Sequence, residues 1–331
     1  FRRGGFFSFL FFFLRHSYTS HLGLGALVYY ERRQRLKLEE KLEQMTRKIK
    51  ALQAERGGAG RRALADAPDA RILFVSGEPN IGKSLVCVAL LAAVVEAGLL
   101  EPSEVAYIQA CTQKEDSKDI RHFLAKYGVS HVEIGTVKLT DNFATSFLEG
   151  NAGSGLDLLN KIESAVEKLK SSGSKTKKLI IVDGDAYPSV GAACGVSHAE
   201  IAAKLGSSAL LVGKSGVGDA VDSTNLNISY FNHNGVNVIG SIFNRLSKKG
   251  YYSLEKCKAS VTEYFRQYKP EYNIYGYLPE IEANSQDEIV ETFVQTFISE
   301  VAYDDIIRDL CKTQGKKTLP GYPPPPPPPP T

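Results

Sequence analysis

From residue 71 onward the chain alternates two hydrophobic rhythms. Short runs dominated by aliphatic and β-branched residues recur at Arg71–Ser76 (RILFVS), Val105–Gln109 (VAYIQ), Leu179–Asp183 (LIIVD), Ala209–Gly213 (ALLVG) and Val236–Phe243 (VNVIGSIF). Such runs predict strands buried on both faces of a parallel sheet. Between them, helix-like patterns cover Lys83–Ala97, Ser117–Lys126, Leu156–Lys170, His198–Leu205, Ala220–Asn232 and Asp287–Val301. Strands and helices alternating at this spacing predict an α/β fold with a mostly parallel, doubly wound sheet. Ligands in such folds gather at the carboxyl ends of the strands.

The flanks read differently. Opening on Phe1, the chain reads as a fragment or as a start that belongs further upstream. Residues 1–30 form a basic and apolar leader. Phe6–Leu14 and Leu22–Tyr30 are each nine residues long, short of the roughly 20 a membrane-crossing helix needs, so a membrane partner is not expected. Arg2 and Arg3 ahead of the first run leave two readings open, an organelle-targeting peptide or an unstructured leader. Over residues 31–56, Leu38, Leu42, Met45, Ile49 and Leu52 recur at 4-3-4-3 spacing. This is either a short coiled-coil seam or the apolar stripe of a solvated amphipathic helix. Residues 57–70, with Gly57-Gly58-Ala59-Gly60, read as a linker. The tail, residues 313–331, contains the unbroken run Pro323–Pro330, which is held to polyproline II. The folded domain is therefore expected at 71–312.

Composition sharpens this division. The 331 residues are 43% apolar and carry a formal charge of +3, enough chain for a substantial core. Residues 1–70 hold 14 Lys/Arg against 7 Asp/Glu, so the remaining residues carry a net −4. The body thus offers no surface suited to nucleic acid. Five cysteines (Cys87, Cys111, Cys194, Cys257 and Cys311) form no C-x-x-C pair. That excludes a disulfide framework and fits a reducing, cytoplasmic compartment.

The strongest chemical signal is Gly77-Glu78-Pro79-Asn80-Ile81-Gly82-Lys83-Ser84, a full G-x-x-x-x-G-K-[ST] match between a predicted strand and a predicted helix. Glycines there let backbone N–H groups wrap a phosphate, and the helix N-terminus adds positive potential. Lys83 would reach the β- and γ-phosphates, and the Ser84 hydroxyl would ligate Mg2+. The expected cofactors are ATP and Mg2+. Asp183 closes an aliphatic strand as a second Mg2+ ligand should, with Asp185 a weaker candidate. Gly213-Lys214-Ser215 lacks the upstream glycine of a second such loop, since that position is Ser208; it is left as a substrate contact or a plain turn. His198 and His233 are assigned surface or capping roles. Tyr251-Tyr252 and the tyrosines of Tyr264–Tyr277 are assigned to core packing.

The body resembles the dethiobiotin synthetase family and the related nucleotide-binding module at the front of some phosphate acetyltransferases. The resemblance is carried by the P-loop, Ile181–Gly195 (IVDGDAYPSVGAACG), Leu210–Asn225 (LLVGKSGVGDAVDSTN), Val238–Asn244 (VIGSIFN) and Tyr275–Glu280 (YGYLPE). It implies a P-loop NTPase fold and a homodimer. It also implies ureido-ring closure, in which a carbamate formed on a diamine is phosphorylated by ATP and displaced by the second amine. By the same resemblance Lys83 and Ser84 hold the triphosphate and metal, and Asp183 stands for the family's glutamate. Asn244 reads adenine, and Pro279 and Glu280 enclose base and ribose. Asp119 is a further metal ligand, with Asp116 as an alternative register.

Two departures fall on the substrate side. A Lys-Pro pair of the family is here Gln109-Ala110, and its E-G-A-G-G loop is Asp183-Gly184-Asp185-Ala186-Tyr187. An amide does not supply the fixed cation a phosphorylated carbamate calls for. Glu78 stands where partition-type ATPases carry a signature lysine, which argues against that class. The expectation is an ATP-dependent ligase-like enzyme or ATPase acting on a small carboxylate or amine. The alternative is a nucleotide-sensing regulatory module, and a scaffold with a vestigial P-loop comes third.

Overall fold

The run RILFVSG is buried from its second residue to its last, and the rest of the architecture is laid out around it. The computed structural model describes residues 69–113, 118–173 and 175–313 together with 63, 64 and 67, the side chains of 118 and 119 excepted. The leader, the coiled-coil or amphipathic segment and residues 314–331 of the tail lie outside the described residues. In chain order the elements are β1 (Arg71–Gly77), α1 (Lys83–Glu96), β2 (Val105–Thr112), α2 (Lys118–Lys126), β3 (Val132–Lys138), α3 (Phe143–Leu148), α4 (Gly155–Lys170) and β4 (Leu179–Asp183). There follow α5 (His198–Lys204), β5 (Ser208–Gly213), α6 (Gly218–His233), β6 (Val238–Leu246), α7 (Leu254–Tyr268), β7 (Asn273–Pro279), α8 (Gln286–Glu300) and α9 (Tyr303–Thr313).

Seven strands form one sheet in the order β3-β2-β4-β1-β5-β6-β7, and every neighbouring pair is parallel. The fold is the α/β P-loop NTPase type. Alternate residues of β1 feed two cores, because successive side chains of a strand point to opposite faces. Leu73 and Val75 join α1, α8 and α9 on one face. Ile72 and Phe74 join residues of α4, α5, α6 and α7 on the other. Helix α1 buries every residue from Val86 to Val94, as expected for a helix apolar on all sides.

The structure adds elements that the apolar runs did not mark. β3 and β7 are the sheet's two edges, and each is only partly buried. Their sequences, VEIGTVK and NIYGYLP, mix charge, glycine or proline into the run. Helices α3, α7 and α9 were likewise unmarked. α7 inserts only Cys257, Val261 and Phe265, and α9 only one face. Two residues of the expected linker, Leu64 and Ala67, are buried at 0% and 4% exposure, with Leu64 in the α1-side core. Tyr275 and Tyr277 pack in the core as expected, but Tyr251, Tyr252 and Tyr268 are exposed. All five cysteines are free. Among the described residues no helix is long and apolar enough to cross a membrane.

Candidate functional site

The P-loop leaves β1 at the middle of the sheet, flanked by β4 and β5. Two glycines let it turn. Gly77 has φ +146 and is paired with Val212 on β5; a Cβ there would stand 2.2 Å from the Val212 carbonyl oxygen. Gly82 has φ +79, and a Cβ would meet the Asn244 amide nitrogen at 2.9 Å. Asn80 also adopts a left-handed conformation, φ +59, which asparagine tolerates better than most residues. Ile81 anchors the loop in the core, while Pro79 and Asn80 are exposed. Asn244 ties β6 to this loop, its Nδ2 donating to the Ile81 carbonyl at 2.7 Å. Glu78 accepts from Asn227 Nδ2 of α6 at 3.4 Å.

Lys83, the first residue of α1, is 6% exposed. Its Nζ donates to three carbonyls: Gly77 at 3.2 Å, Glu78 at 2.6 Å and Ala186 at 2.5 Å. The ammonium thus joins the P-loop to the loop after β4. Burial lowers its pKa below the ordinary lysine value, against the opposing pull of Asp183 and Asp185.

Asp183 ends β4, with Val75 of β1 on one side and Gln109 of β2 on the other. It is 1% exposed, and burial raises its carboxyl pKa above the usual aspartate value. Hydrogen bonds from Ser84 and Tyr107, and the charge of Lys83, act in the opposite direction. Tyr107 donates to Oδ2 at 2.6 Å, while Oδ1 is buried without a hydrogen-bond partner. An orphaned carboxylate oxygen beside the P-loop serine is the donor set a Mg2+ ion on a nucleotide takes, so these residues fit the metal. Among the described residues no three His, Cys, Asp or Glu cluster as a metal site.

Ser84, Lys83, Asp183 and Asn244 therefore converge on the P-loop. Pro279 and Glu280 lie further along the sheet at the end of β7, where Glu280 N donates to the Leu246 carbonyl at 2.9 Å. Asp119 sits in α2 with its side chain outside the described residues, and Asp116 lies wholly outside them. Asp185 is used locally, accepting from Gln113 N at 3.0 Å and Ala186 N at 2.8 Å. Lys214 stands 3.9 Å from Asp219 in the first turn of α6.

Three side chains here were not anticipated. Tyr107 hydrogen-bonds Asp183, and the buried Cys87 has its thiol pKa pushed up by burial and by the same carboxylate. His198 was expected at the surface or as a cap, and is instead 1% exposed, bonded through Nδ1 to Ser76 Oγ at 2.8 Å. A Cβ on Gly184 would come within 2.6 Å of its ring. Ser76 and His198 are 122 residues apart, so no local pattern could pair them; the one available signal was a polar Ser76 inside an otherwise apolar strand. His233, in the last turn of α6, is exposed as expected.

A family model described as an AAA domain matches residues 70–288, more than half of the chain and all of the elements that build this site. No curated protein matches the chain.

Proposed function

The chain belongs to the AAA domain family, a P-loop family that includes dethiobiotin synthetase-like proteins, and from that premise we propose that it binds ATP with Mg2+ and uses it to activate a small carboxylate or carbamate, or hydrolyses it. The observation that carries this reading is the meeting of Lys83, Ser84 and the unpartnered Asp183 Oδ1 at the mouth of β1 and β4.

In this reading the backbone N–H groups of Gly77–Ser84, Pro79 excepted, receive the phosphates, and Lys83 exchanges its carbonyl partners for β- and γ-phosphate oxygens. Ser84 and Asp183 hold Mg2+, with Asp119 as the further ligand implied by the resemblance. The bound ion neutralises charge on the phosphates. Asn244 spends its amide nitrogen on Ile81 and keeps Oδ1 free as an acceptor, which suits an adenine amino group. Pro279 and Glu280 are placed around base and ribose, and a homodimer is carried with them from the resemblance.

Gln109 favours a second reading, a nucleotide-sensing module without synthetase activity. It is 7% exposed on β2, directly opposite Asp183, and puts an amide where ring-closing chemistry uses a cation.

The whole chain supplied with ATP, Mg2+, bicarbonate and 7,8-diaminopelargonate distinguishes these. Phosphate together with a ureido product supports the synthetase; phosphate alone rejects it in favour of ATPase activity; binding without turnover supports the sensor. Lys83→Ala should weaken ATP binding by about ten- to a hundredfold in calorimetry, through loss of charge-assisted hydrogen bonds. A variant that binds like the parent removes the nucleotide reading altogether.

A further inference from the structure

Tyr107 is among the largest wholly buried side chains of the protein, set in a strand whose eight residues are all buried. A phenol in such a place needs a hydrogen-bond partner; an aliphatic residue would fill the strand without one. In the β2–β4 register Tyr107 lies opposite Ile181, so its ring reaches forward along the sheet to meet Asp183. The contact is short, 2.6 Å from hydroxyl to Oδ2. Ser84, at the start of α1, and Cys87, one turn further along it, lie close enough to act on the same carboxylate. Two strands and one helix thus converge on a single carboxyl group. Oδ1 is the one oxygen of that group with no partner.

We propose that Tyr107 is a positioning residue for the metal site: its hydroxyl engages Oδ2 of Asp183, fixes the carboxylate plane, and leaves Oδ1 as the oxygen offered to a divalent cation. This rests on the Mg-nucleotide reading above. Outer partners that orient a ligating group are a general determinant of metal affinity. A carboxylate free to rotate would present either oxygen and would lose orientational freedom on binding. Tyr107 removes that freedom in advance, without touching nucleotide or metal.

The test separates metal from nucleotide. Mn2+ uptake by the whole chain, in the presence of a non-hydrolysable ATP analogue, is read from the electron paramagnetic resonance of free Mn2+. Affinity for the analogue alone is read with metal chelated. Tyr107→Phe should lower Mn2+ affinity by about tenfold and leave metal-free nucleotide affinity unchanged. In an Asp183→Asn background the same substitution should add nothing. Equal Mn2+ affinity in Tyr107→Phe and parent overturns the role. So does a loss that persists beside Asp183→Asn, or a parallel fall in both affinities, which would mark a purely structural residue. If the parent itself takes up no Mn2+ with nucleotide, the Mg-nucleotide reading fails and this inference goes with it; parent uptake matched by the variant sinks the Tyr107 role alone. Should Tyr107→Phe not fold, 3-fluorotyrosine at position 107 keeps ring and hydroxyl. Its 19F resonance should shift when Mg2+ is added to nucleotide-loaded protein, and a resonance that stays in place overturns the proposal.

Discussion

His198 carries a ring at 1% exposure beside the cation of Lys83, and burial, reinforced by that charge, lowers its pKa to about 3. An imidazole in the unfolded chain titrates near 6.5. Between the two values the unfolded state binds a proton the fold refuses. Stability is therefore intact above pH 6.5 and falls as pH drops toward 3, with a limiting slope of about 1.4 kcal/mol per pH unit. Asp183 acts with the opposite sign, because its pKa is raised in the fold and protonation there favours the folded state. Comparing parent with His198→Gln cancels that shared contribution. Urea unfolding at pH 7 and pH 5 should show a smaller acid loss in the variant, and identical losses would remove His198 as the cause. Asp183 and Lys83 were legible at this scale because motif spacing marks them. Tyr107, Cys87 and His198 were not, since each gains its role from a neighbour on another element.

The strand–loop–helix unit β1–P-loop–α1 has its geometry set by two backbone positions. Gly77 cannot take a side chain while it stays paired with Val212, for the added carbon would lie 2.2 Å from a carbonyl oxygen. Gly77→Ala should cost about 2 kcal/mol or more through backbone strain and overpacking. A lowered urea midpoint checks this, and a midpoint equal to the parent's would show that the loop can move aside. The loop's existence and place were readable from G-x-x-x-x-G-K-S and its flanking runs. Its anchoring was not: Asn244 binds the Ile81 carbonyl across 163 residues, a contact that depends on β6 lying two strands away in the sheet. Edge strands β3 and β7 escaped for a related reason. Each lies at an edge of the sheet with its end residues only partly buried, so charge, glycine and proline interrupt the apolar run that marks an interior strand.

For the molecule as a whole, the two cores on either face of the sheet set where the domain begins. Leu64 is fully buried in the α1-side core, and the Ala67 carbonyl accepts from Lys178 Nζ at 3.5 Å, so the body takes in residues ahead of 71. Leu64→Ala should destabilise the protein by about 2–4 kcal/mol, as for other buried leucines, measured as a shift in thermal midpoint; no shift would show Leu64 to be dispensable. The small residues around Leu64 hid it, since a single large apolar residue has no periodicity to betray it. By itself the sequence determined the alternation of buried strands and helices, and with it the parallel α/β class, because burial on both faces leaves its mark on every interior strand. It also determined the phosphate loop, whose chemistry depends on residues adjacent in the chain. Only the tertiary structure decided the sheet order, the depth of His198 and the grip of Tyr107 on Asp183. Those depend on which strands lie side by side, and contacts between residues 76 or 122 positions apart leave no periodic trace in either segment.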